Sequence, residues 1–249
     1  TSATQNIFIG SCSGVNATNS NNLFIGNNSG ADSAGSDLIL IGNRSGKSVN
    51  GDRNTFIGYQ SGGLVSTSGS DNLCLGIHTG YNLSSGSRNI ILGTGDTAIS
   101  AGRQINTGSD NVLMGYHSGA ALREGNENVF LGSNSGGKAN CNKNIAIGSE
   151  AGESGQGDGN INIGYQSGKK QTSGIYNLNV GYQSGFNNTE GEYNLNLGYQ
   201  SGYTGITNDN NIHIGYQAGY SSVANDNILL GYQSGYNINS VDASLNLFM

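Results

Sequence analysis

The chain has 249 residues, 43 glycines, no proline and a formal net charge of −6 at pH 7. Its ten lysines and arginines are scattered, so no nucleic-acid-binding surface is expected, because such a surface needs clustered basic residues. No apolar run approaches the roughly 20 residues that span a bilayer as a helix, and the sequence therefore predicts no membrane insertion.

The first predicted element is a short strand, Ile7–Ile9, which follows Asn6 and ends at Gly10. The same order of asparagine, three-residue strand and glycine returns along the whole chain. The glycine stands at positions 10, 26, 42, 58, 76, 93, 115, 132, 148, 164, 181, 198, 215 and 231. Twelve of the thirteen intervals are 16 to 18 residues long, and such a fixed period indicates a stacked repeat.

Each predicted strand carries apolar residues at its first and third positions, as Ile39 and Ile41 do in the third repeat, with Thr55 as the one exception. Because side chains alternate between the two faces of a strand, we expect these two columns to form the buried interior. Fourteen such strands pair in parallel and in register. The predicted fold class is therefore an all-β parallel β-solenoid, with residues 1–249 as a single continuous repeat domain.

The middle residue of each strand lies on the opposite face, which we expect to point outward. A strand that is apolar on both faces is usually covered on both. In the first half of the chain this column predicts an oligomer interface between identical chains, formed by Phe8, Phe24, Leu40, Phe56, Ile91, Leu113 and Phe130. Later it changes to Asn162, Asn179, Asn196 and His213, which predict a hydrated face or a polar seam between chains.

Two further columns precede the strand. Asparagine stands immediately before it in thirteen of the fourteen repeats, with Leu38 as the exception, and predicts an amide ladder between repeats. One position earlier, residues such as Arg53, Asp71, Arg88 and Asp110 alternate in charge and predict a ladder of surface ion pairs.

The segment after the strand contains the most regular motif. Gly-Tyr-Gln-Ser-Gly occurs at Gly58–Gly62, Gly164–Gly168, Gly181–Gly185, Gly198–Gly202 and Gly231–Gly235. Its tyrosines predict an aromatic stripe that binds a ligand, with sugars as the favoured class because a rigid ring suits a pyranose face. The stripe consists of Tyr165, Tyr182, Tyr199, Tyr216 and Tyr232. The alternative is a tyrosine ladder that only packs along the repeats.

Seven residues past the strand glycine, apolar residues such as Val49, Val65 and Leu83 predict a second, shorter strand that closes each repeat. One interval, from Gly93 to Gly115, is 22 residues long and predicts an irregular insertion that bulges as a loop at about 94–106. Insertions in repeat proteins often carry the binding function. A merely tolerated insertion is the alternative.

No catalytic constellation is readable, and the sequence predicts no enzyme activity, no cofactor and no metal site. His78 and His117 lie two repeats apart, roughly 10 Å, which is too far for one chain to hold an ion between them. They are expected to be ordinary surface histidines. Cys12, Cys74 and Cys141 are separated by several repeats, beyond disulfide reach, and predict single thiols.

The repeat Asn-Ile-x-Ile-Gly-x-x-Ser/Ala over residues 5–247 resembles the Asn-Ser-Val-Ala-Ile-Gly-x-x-Ser/Ala repeat of the YadA-type head domains of trimeric autotransporter adhesins. Its Gly-Tyr-Gln-Ser/Ala-Gly version also looks like shaft repeats of phage tail fibres. The resemblance implies a left-handed β-roll, a homotrimer and an extracellular, cell-surface or virion location.

The function expected from the sequence is that of a non-enzymatic structural and adhesive fibre segment. It would present a rigid, repetitive surface to a host cell or polymer, with a cell-surface glycan or a protein as receptor. Two alternatives stay open at this point. One is the receptor-binding shaft of a phage or contractile-injection tail fibre, and the other is a subunit of a self-assembling extracellular filament.

Overall fold

The computed structural model describes residues 4–63, 66–95, 100–137, 140–155, 157–238 and 247–248. These residues form short strands joined by turns and bends. They contain no helix, and thus none long enough to cross a membrane. The chain divides into two compact units, residues 1–127 and 128–249.

The strands follow one another at the repeat interval. Those of the first unit are β1 (Ile7–Ile9), β2 (Leu23–Ile25), β3 (Ile39–Ile41), β4 (Thr55–Ile57), β5 (Leu73–Leu75), β6 (Ile90–Leu92) and β7 (Val112–Met114). Those of the second unit are β8 (Val129–Leu131), β9 (Ile145–Ile147), β10 (Ile161–Ile163), β11 (Leu178–Val180), β12 (Leu195–Leu197), β13 (Ile212–Ile214), β14 (Ile228–Leu230) and β15 (Leu247–Phe248).

Consecutive strands within each unit pair in parallel, and equivalent residues face each other. Phe24 pairs with Leu40 in the first unit, and Asn179 pairs with both Asn162 and Asn196 in the second. One strand and the turns that lead to the next strand make one coil of a solenoid. The predicted all-β parallel β-solenoid is therefore confirmed.

The assignment of the two strand faces is wrong, although the alternation itself is correct. The middle residues point into the coil: Phe24, Leu40 and Phe56 are 0% exposed. The first and third residues point outward, with Ile39 39% and Met114 39% exposed. The reason is the narrowness of the coil, whose interior accepts one side chain from each three-residue strand.

The residues predicted to form an oligomer interface through the middle column are thus core residues. Six of them are at most 1% exposed within one chain, namely Phe24, Leu40, Phe56, Ile91, Leu113 and Phe130. The seventh, Phe8, lies in the first coil, is 40% exposed and stacks on Phe24 with ring centroids 5.0 Å apart. Side chains enclosed by their own coil cannot contact a second chain, so this column does not supply an interface.

The wall of the coil opposite the strand is formed by the residue seven positions after the strand glycine. The sequence predicted that this residue lies in a second, shorter strand. Val49, Leu83 and Leu122 are fully buried there. In the part of this wall that the structure describes, the strand is reduced to isolated bridges, one of which joins Val49 and Thr67. Val65 lies outside the described residues.

The asparagine ladder is confirmed. Asn72 donates its backbone N–H to the Oδ1 of Asn54 at 3.0 Å, and its own Oδ1 accepts the N–H of Asn89 at 3.0 Å. Its Nδ2 also donates to the Gly86 carbonyl at 3.0 Å. Each buried asparagine therefore bonds to coils on both sides and satisfies backbone groups that face inward.

The glycine after each strand is required by close packing between coils. Gly42 has φ = 134°, and a Cβ added there would lie 2.3 Å from the carbonyl oxygen of Gly58 in the next coil. Any side chain at this column would force the coils apart. The glycine thus fixes both the turn and the spacing of the repeats.

Candidate functional site

The predicted tyrosine stripe forms a continuous stack in the second unit. Its members, in order, are Tyr165, Tyr182, Tyr199, Tyr216 and Tyr232. Neighbouring ring centroids are 5.0 to 5.3 Å apart and the ring planes differ by 6° to 27°. The rings are partly exposed, with Tyr232 the most open at 73%.

This stacking changes what the tyrosines can offer a ligand. Each inner ring has a neighbouring ring on both of its faces, so those faces are already covered. Ring edges and hydroxyl groups remain for a ligand, and they suit hydrogen bonding better than stacking against a sugar. The stripe is therefore a regular row of hydroxyl groups rather than a set of open aromatic platforms.

A glutamine ladder runs beside the tyrosines. The Nε2 of Gln183 donates to the Oε1 of Gln166 at 2.7 Å, and Gln200, Gln217 and Gln233 continue the chain at 2.9, 3.0 and 3.0 Å. These glutamines adopt left-handed backbone, with φ between 51° and 54° at the first two. The ladder ties the motif of each coil to the next and holds the tyrosines at a fixed spacing.

The serine and the last glycine of the motif face the interior. Ser184 Oγ donates to the Asn196 carbonyl of the next coil at 2.7 Å. A Cβ added at Gly185 would lie 2.1 Å from the Oδ1 of Asn179. The pentad is thus a structural corner: its tyrosine is exposed in all five copies, whereas its serine and last glycine are buried in all but the last copy.

Two more aromatic columns accompany the stripe in the second unit. Phe186, Tyr203, Tyr220 and Tyr236 stack with centroids 4.9 to 5.2 Å apart. Burial raises the pKa of the Tyr220 hydroxyl. Tyr176 and Tyr193 form a separate stacked pair at 5.5 Å. Sequence analysis missed the stacked pair, because its position carries charged residues in earlier repeats.

Two steps of the predicted charge ladder are confirmed as ion pairs. Arg53 Nε lies 2.6 Å from Asp71 Oδ1, and Arg88 Nε lies 2.6 Å from Asp110 Oδ1. The hydrogen bond from Arg53 lowers the pKa of Asp71, and that from Arg88 lowers the pKa of Asp110. Both pairs are solvent-exposed, so they orient the coils without contributing much stability.

In each unit the outward residues of the strands form a surface that we call the aliphatic face. It consists of the first and third residues of strands β1 to β14, which are all apolar except Thr55. Those with the largest exposure are Ile7, Ile9, Ile39, Ile57, Ile90, Met114, Ile147, Leu197 and Ile228. Sequence reasoning recognised both columns but placed them inside. The sequence pattern itself favoured that placement, since the middle column contains asparagine whereas the third stays apolar in all fourteen repeats.

The 22-residue interval is less irregular than predicted. Asp96, Thr97, Ala98 and Ile99 lie outside the described residues, but the segment from Ser100 onward follows the normal path of a coil. Ala101 and Ile105 are fully buried, and Gly80 N–H donates to the Ala101 carbonyl as in neighbouring coils. Residues 100–106 therefore do not bulge, and the extra residues precede them.

A polar groove adjoins this segment in the first unit. It is lined by Asn82, Ser84, Gln104, Asn106 and Arg123 and has a volume of about 480 Å³. Arg123 Nε donates to Gln104 Oε1 at 3.3 Å, and the Ser84 hydroxyl donates to Asn106 Oδ1. No sequence signal marks this groove, because its residues come from three different repeats.

The histidines differ from expectation. His78 is buried, not on the surface, and its Nε2 lies 2.9 Å from Gln60 Oε1. His213 belongs to the interior column and lies within hydrogen-bond distance of Asn196, Nδ1 to Oδ1 2.8 Å, so the predicted outward, hydrated face is wrong here too. His117 stacks on Tyr116 with centroids 3.6 Å apart.

Among the described residues no group of three or more His, Cys, Asp or Glu side chains is placed to hold a metal ion. Cys12, Cys74 and Cys141 are free thiols. Burial raises the pKa of Cys74 and raises that of Cys141 to about 11, which keeps both protonated and weakly reactive.

Comparisons of the chain with protein families, with curated proteins and with solved structures gave no match. Three surfaces of the described residues are the candidates for function: the aliphatic face, the tyrosine stripe and the polar groove.

Proposed function

We propose that the chain is a non-enzymatic segment of an extracellular structural fibre, which assembles from identical copies and presents a regular surface to a host cell or polymer. The observation that carries this proposal is the aliphatic face. Its third-residue column stays aliphatic in fourteen of fourteen repeats although its side chains reach solvent, while the buried middle column accepts asparagine and histidine.

Strand propensity alone does not account for that column. Isoleucine and valine favour strands because they are β-branched, but leucine and methionine are not, and they fill the position at Leu75, Leu92, Met114 and Leu197 among others. What these residues share is apolar area. A continuous apolar area of this kind on a protein surface marks an interaction site.

An identical copy is the partner that fits this surface best. The exposed residues recur at the spacing of the coils, and a second copy carries residues at the same spacing. Covering one partly exposed isoleucine contributes about 1 kcal/mol. A single contact cannot offset the roughly 4–15 kcal/mol cost of association, whereas a column of them can.

The stoichiometry and handedness that we propose come from the resemblance to adhesin heads: a homotrimer of left-handed β-rolls located outside the cell or on a virion. In that arrangement the aliphatic faces of three chains would meet, and the tyrosine stripe would remain available. The stripe, with its row of hydroxyl groups and glutamine amides, is our proposed contact for a glycan or protein receptor.

The assembly is tested by placing a charge on the aliphatic face. Met114→Lys should lower the mass of the particle in light scattering, because a lysine there would lose its hydration in the interface. Thr107→Lys is the matched control, since Thr107 is exposed in the turn between β6 and β7. It should leave the mass unchanged.

Circular dichroism establishes that both variants keep the wild-type strand content. A Met114→Lys protein that is folded and has the same mass as wild type would contradict the proposed role of the aliphatic face.

A further inference from the structure

The polar groove of the first unit has the size and chemistry of a ligand site. Its volume of about 480 Å³ lies within the roughly 300–1,000 Å³ of typical small-molecule sites. Such sites are usually apolar, but here every lining side chain is polar: Asn82, Ser84, Gln104, Asn106 and Arg123. The groove therefore suits a ligand that is itself rich in hydrogen-bonding groups.

The lining groups match hydroxyl groups well. Three amides and one hydroxyl both donate and accept hydrogen bonds, as a sugar hydroxyl does. They come from three consecutive coils, which the backbone bonds of the solenoid hold in place: Asn82 N–H donates to the Arg103 carbonyl, and Asn106 N–H donates to the Arg123 carbonyl. The site is thus built on regular coils instead of a loose loop.

The groove also holds an unpaired positive charge. Arg53, Arg88 and Lys169 are each paired with carboxylates. Arg123 is different: no carboxylate of the described residues lies within ion-pair distance of it, and its side chain makes one bond, from Nε to Gln104. A guanidinium with free terminal nitrogens binds a planar carboxylate in a forked pair.

A second arginine adds to the positive potential nearby. The Arg103 guanidinium lies over the Tyr81 ring, 4.2 Å from its centroid, and its Nη1 is buried without a hydrogen-bond partner. Arg103 is adjacent in sequence to Gln104, which lines the groove. Two arginines in this region favour an anion locally, against the net charge of −6 of the whole chain.

We propose that this groove binds an acidic saccharide, whose carboxylate pairs with Arg123 and whose hydroxyl groups bond to the surrounding amides and Ser84. The proposal deepens the adhesive role proposed above and rests on it, since it names the class of surface polymer that the first unit recognises. It is distinct from the tyrosine stripe, which lies in the second unit.

Matched sugars test the proposal directly. Binding of the full chain to cellobiouronic acid and cellobiose, and to sialyllactose and lactose, is measured by isothermal titration calorimetry. At least one acidic sugar should bind about tenfold more tightly than its neutral partner, as one charge-assisted pair implies. If neither acidic sugar binds more tightly than its partner, the proposal is wrong.

Two variants locate the site. Arg123→Gln should remove the preference for the acidic sugar and leave the weak binding of the neutral sugar unchanged. Arg44→Gln, which removes the same charge from an exposed position of the same unit, should leave the preference intact. A preference that survives Arg123→Gln would overturn the groove assignment, while the mass of the assembly would still decide the fibre proposal separately.

Discussion

The interiors of the two units differ although their strands are built alike. In the first unit the middle column is filled by Phe24, Leu40, Phe56, Ile91 and Leu113, all fully buried. In the second unit, from β10 to β13, the same position holds amides and a histidine. Asn179 Nδ2 donates to Asn162 Oδ1 and Asn196 Nδ2 donates to Asn179 Oδ1, both at 2.8 Å.

The difference shows that the geometry of the coil does not require an apolar core. An amide in this column costs little because the next coil supplies its partner at hydrogen-bond distance, and stacked copies satisfy one another. The opposite wall changes in step, since Gln171 and Asn188 replace apolar residues such as Leu83. Stability in the first unit should therefore depend on packing, and in the second unit on unbroken ladders.

The largest effect is expected from a cavity in the first interior. Phe56→Ala should lower the free energy of unfolding by about 3–5 kcal/mol, because it removes a fully buried ring from a closely packed coil. Urea denaturation gives the size of the effect, and hydrogen exchange should place the loss of protection in the first unit. A loss below about 1 kcal/mol would mean that the middle column is not the core.

A pH effect is expected from the interior of the second unit. Burial lowers the pKa of His213 to about 4, whereas an unfolded histidine titrates near 6.5. The unfolded state thus binds the proton more readily, so stability is full above about pH 6.5 and falls by about 3 kcal/mol as the pH drops to 4.

His213→Asn is the matched variant, because it continues the existing amide ladder. Urea midpoints measured across this pH range should fall less steeply for the variant than for wild type. Equal slopes would show that His213 is not buried in its neutral form.

The amide ladder itself is tested by breaking one step. Asn179→Leu should fit sterically, since Leu40 occupies the equivalent position. However, it leaves Asn162 and Asn196 each short of a partner, and an unpaired buried group costs about 1–3 kcal/mol. Replacing Asn162, Asn179 and Asn196 together should cost less than the sum of the three single changes, as measured by urea denaturation. Additive costs would contradict a connected ladder.

The smallest effect is expected on the surface. The position two residues before the strand carries ion pairs in the first unit and stacked tyrosine rings in the second. Arg88→Gln should change the urea midpoint slightly at low salt and not at all in 1 M salt, because the exposed pair with Asp110 is screened. Tyr193→Ser, which ends the stack on Tyr176, should show the same change at both salt concentrations. A salt-independent effect of Arg88→Gln would contradict the ion-pair interpretation.

The sequence predicted the repeat, the strands, their parallel register and the asparagine ladder, because each depends on a pattern that recurs every coil. It placed the wrong strand face in the interior. Alternation places Ile39 and Leu40 on opposite faces but does not say which face is inside, and here both are apolar. The decisive feature is the closeness of Gly30 and Gly62 to the Phe24 and Phe56 rings, which only three-dimensional structure supplies.

The candidate surfaces were predicted to different degrees. The tyrosine stripe follows from a column, and its members do come together. The coils are about 5 Å apart, and at this spacing neighbouring rings cover each other's faces. The stripe therefore offers a row of hydroxyl groups and not the expected stacking platform. The polar groove joins Asn82, Gln104 and Arg123 from three unequal repeats, so no single column contains it.

The central claim is that the aliphatic face is covered by identical copies of the chain. Multi-angle light scattering of the purified full chain tests it most directly. The account predicts a particle of three times the 25.6 kDa mass of one chain, stable on dilution. A particle with the mass of a single chain, with its aliphatic columns exposed to water, would contradict it.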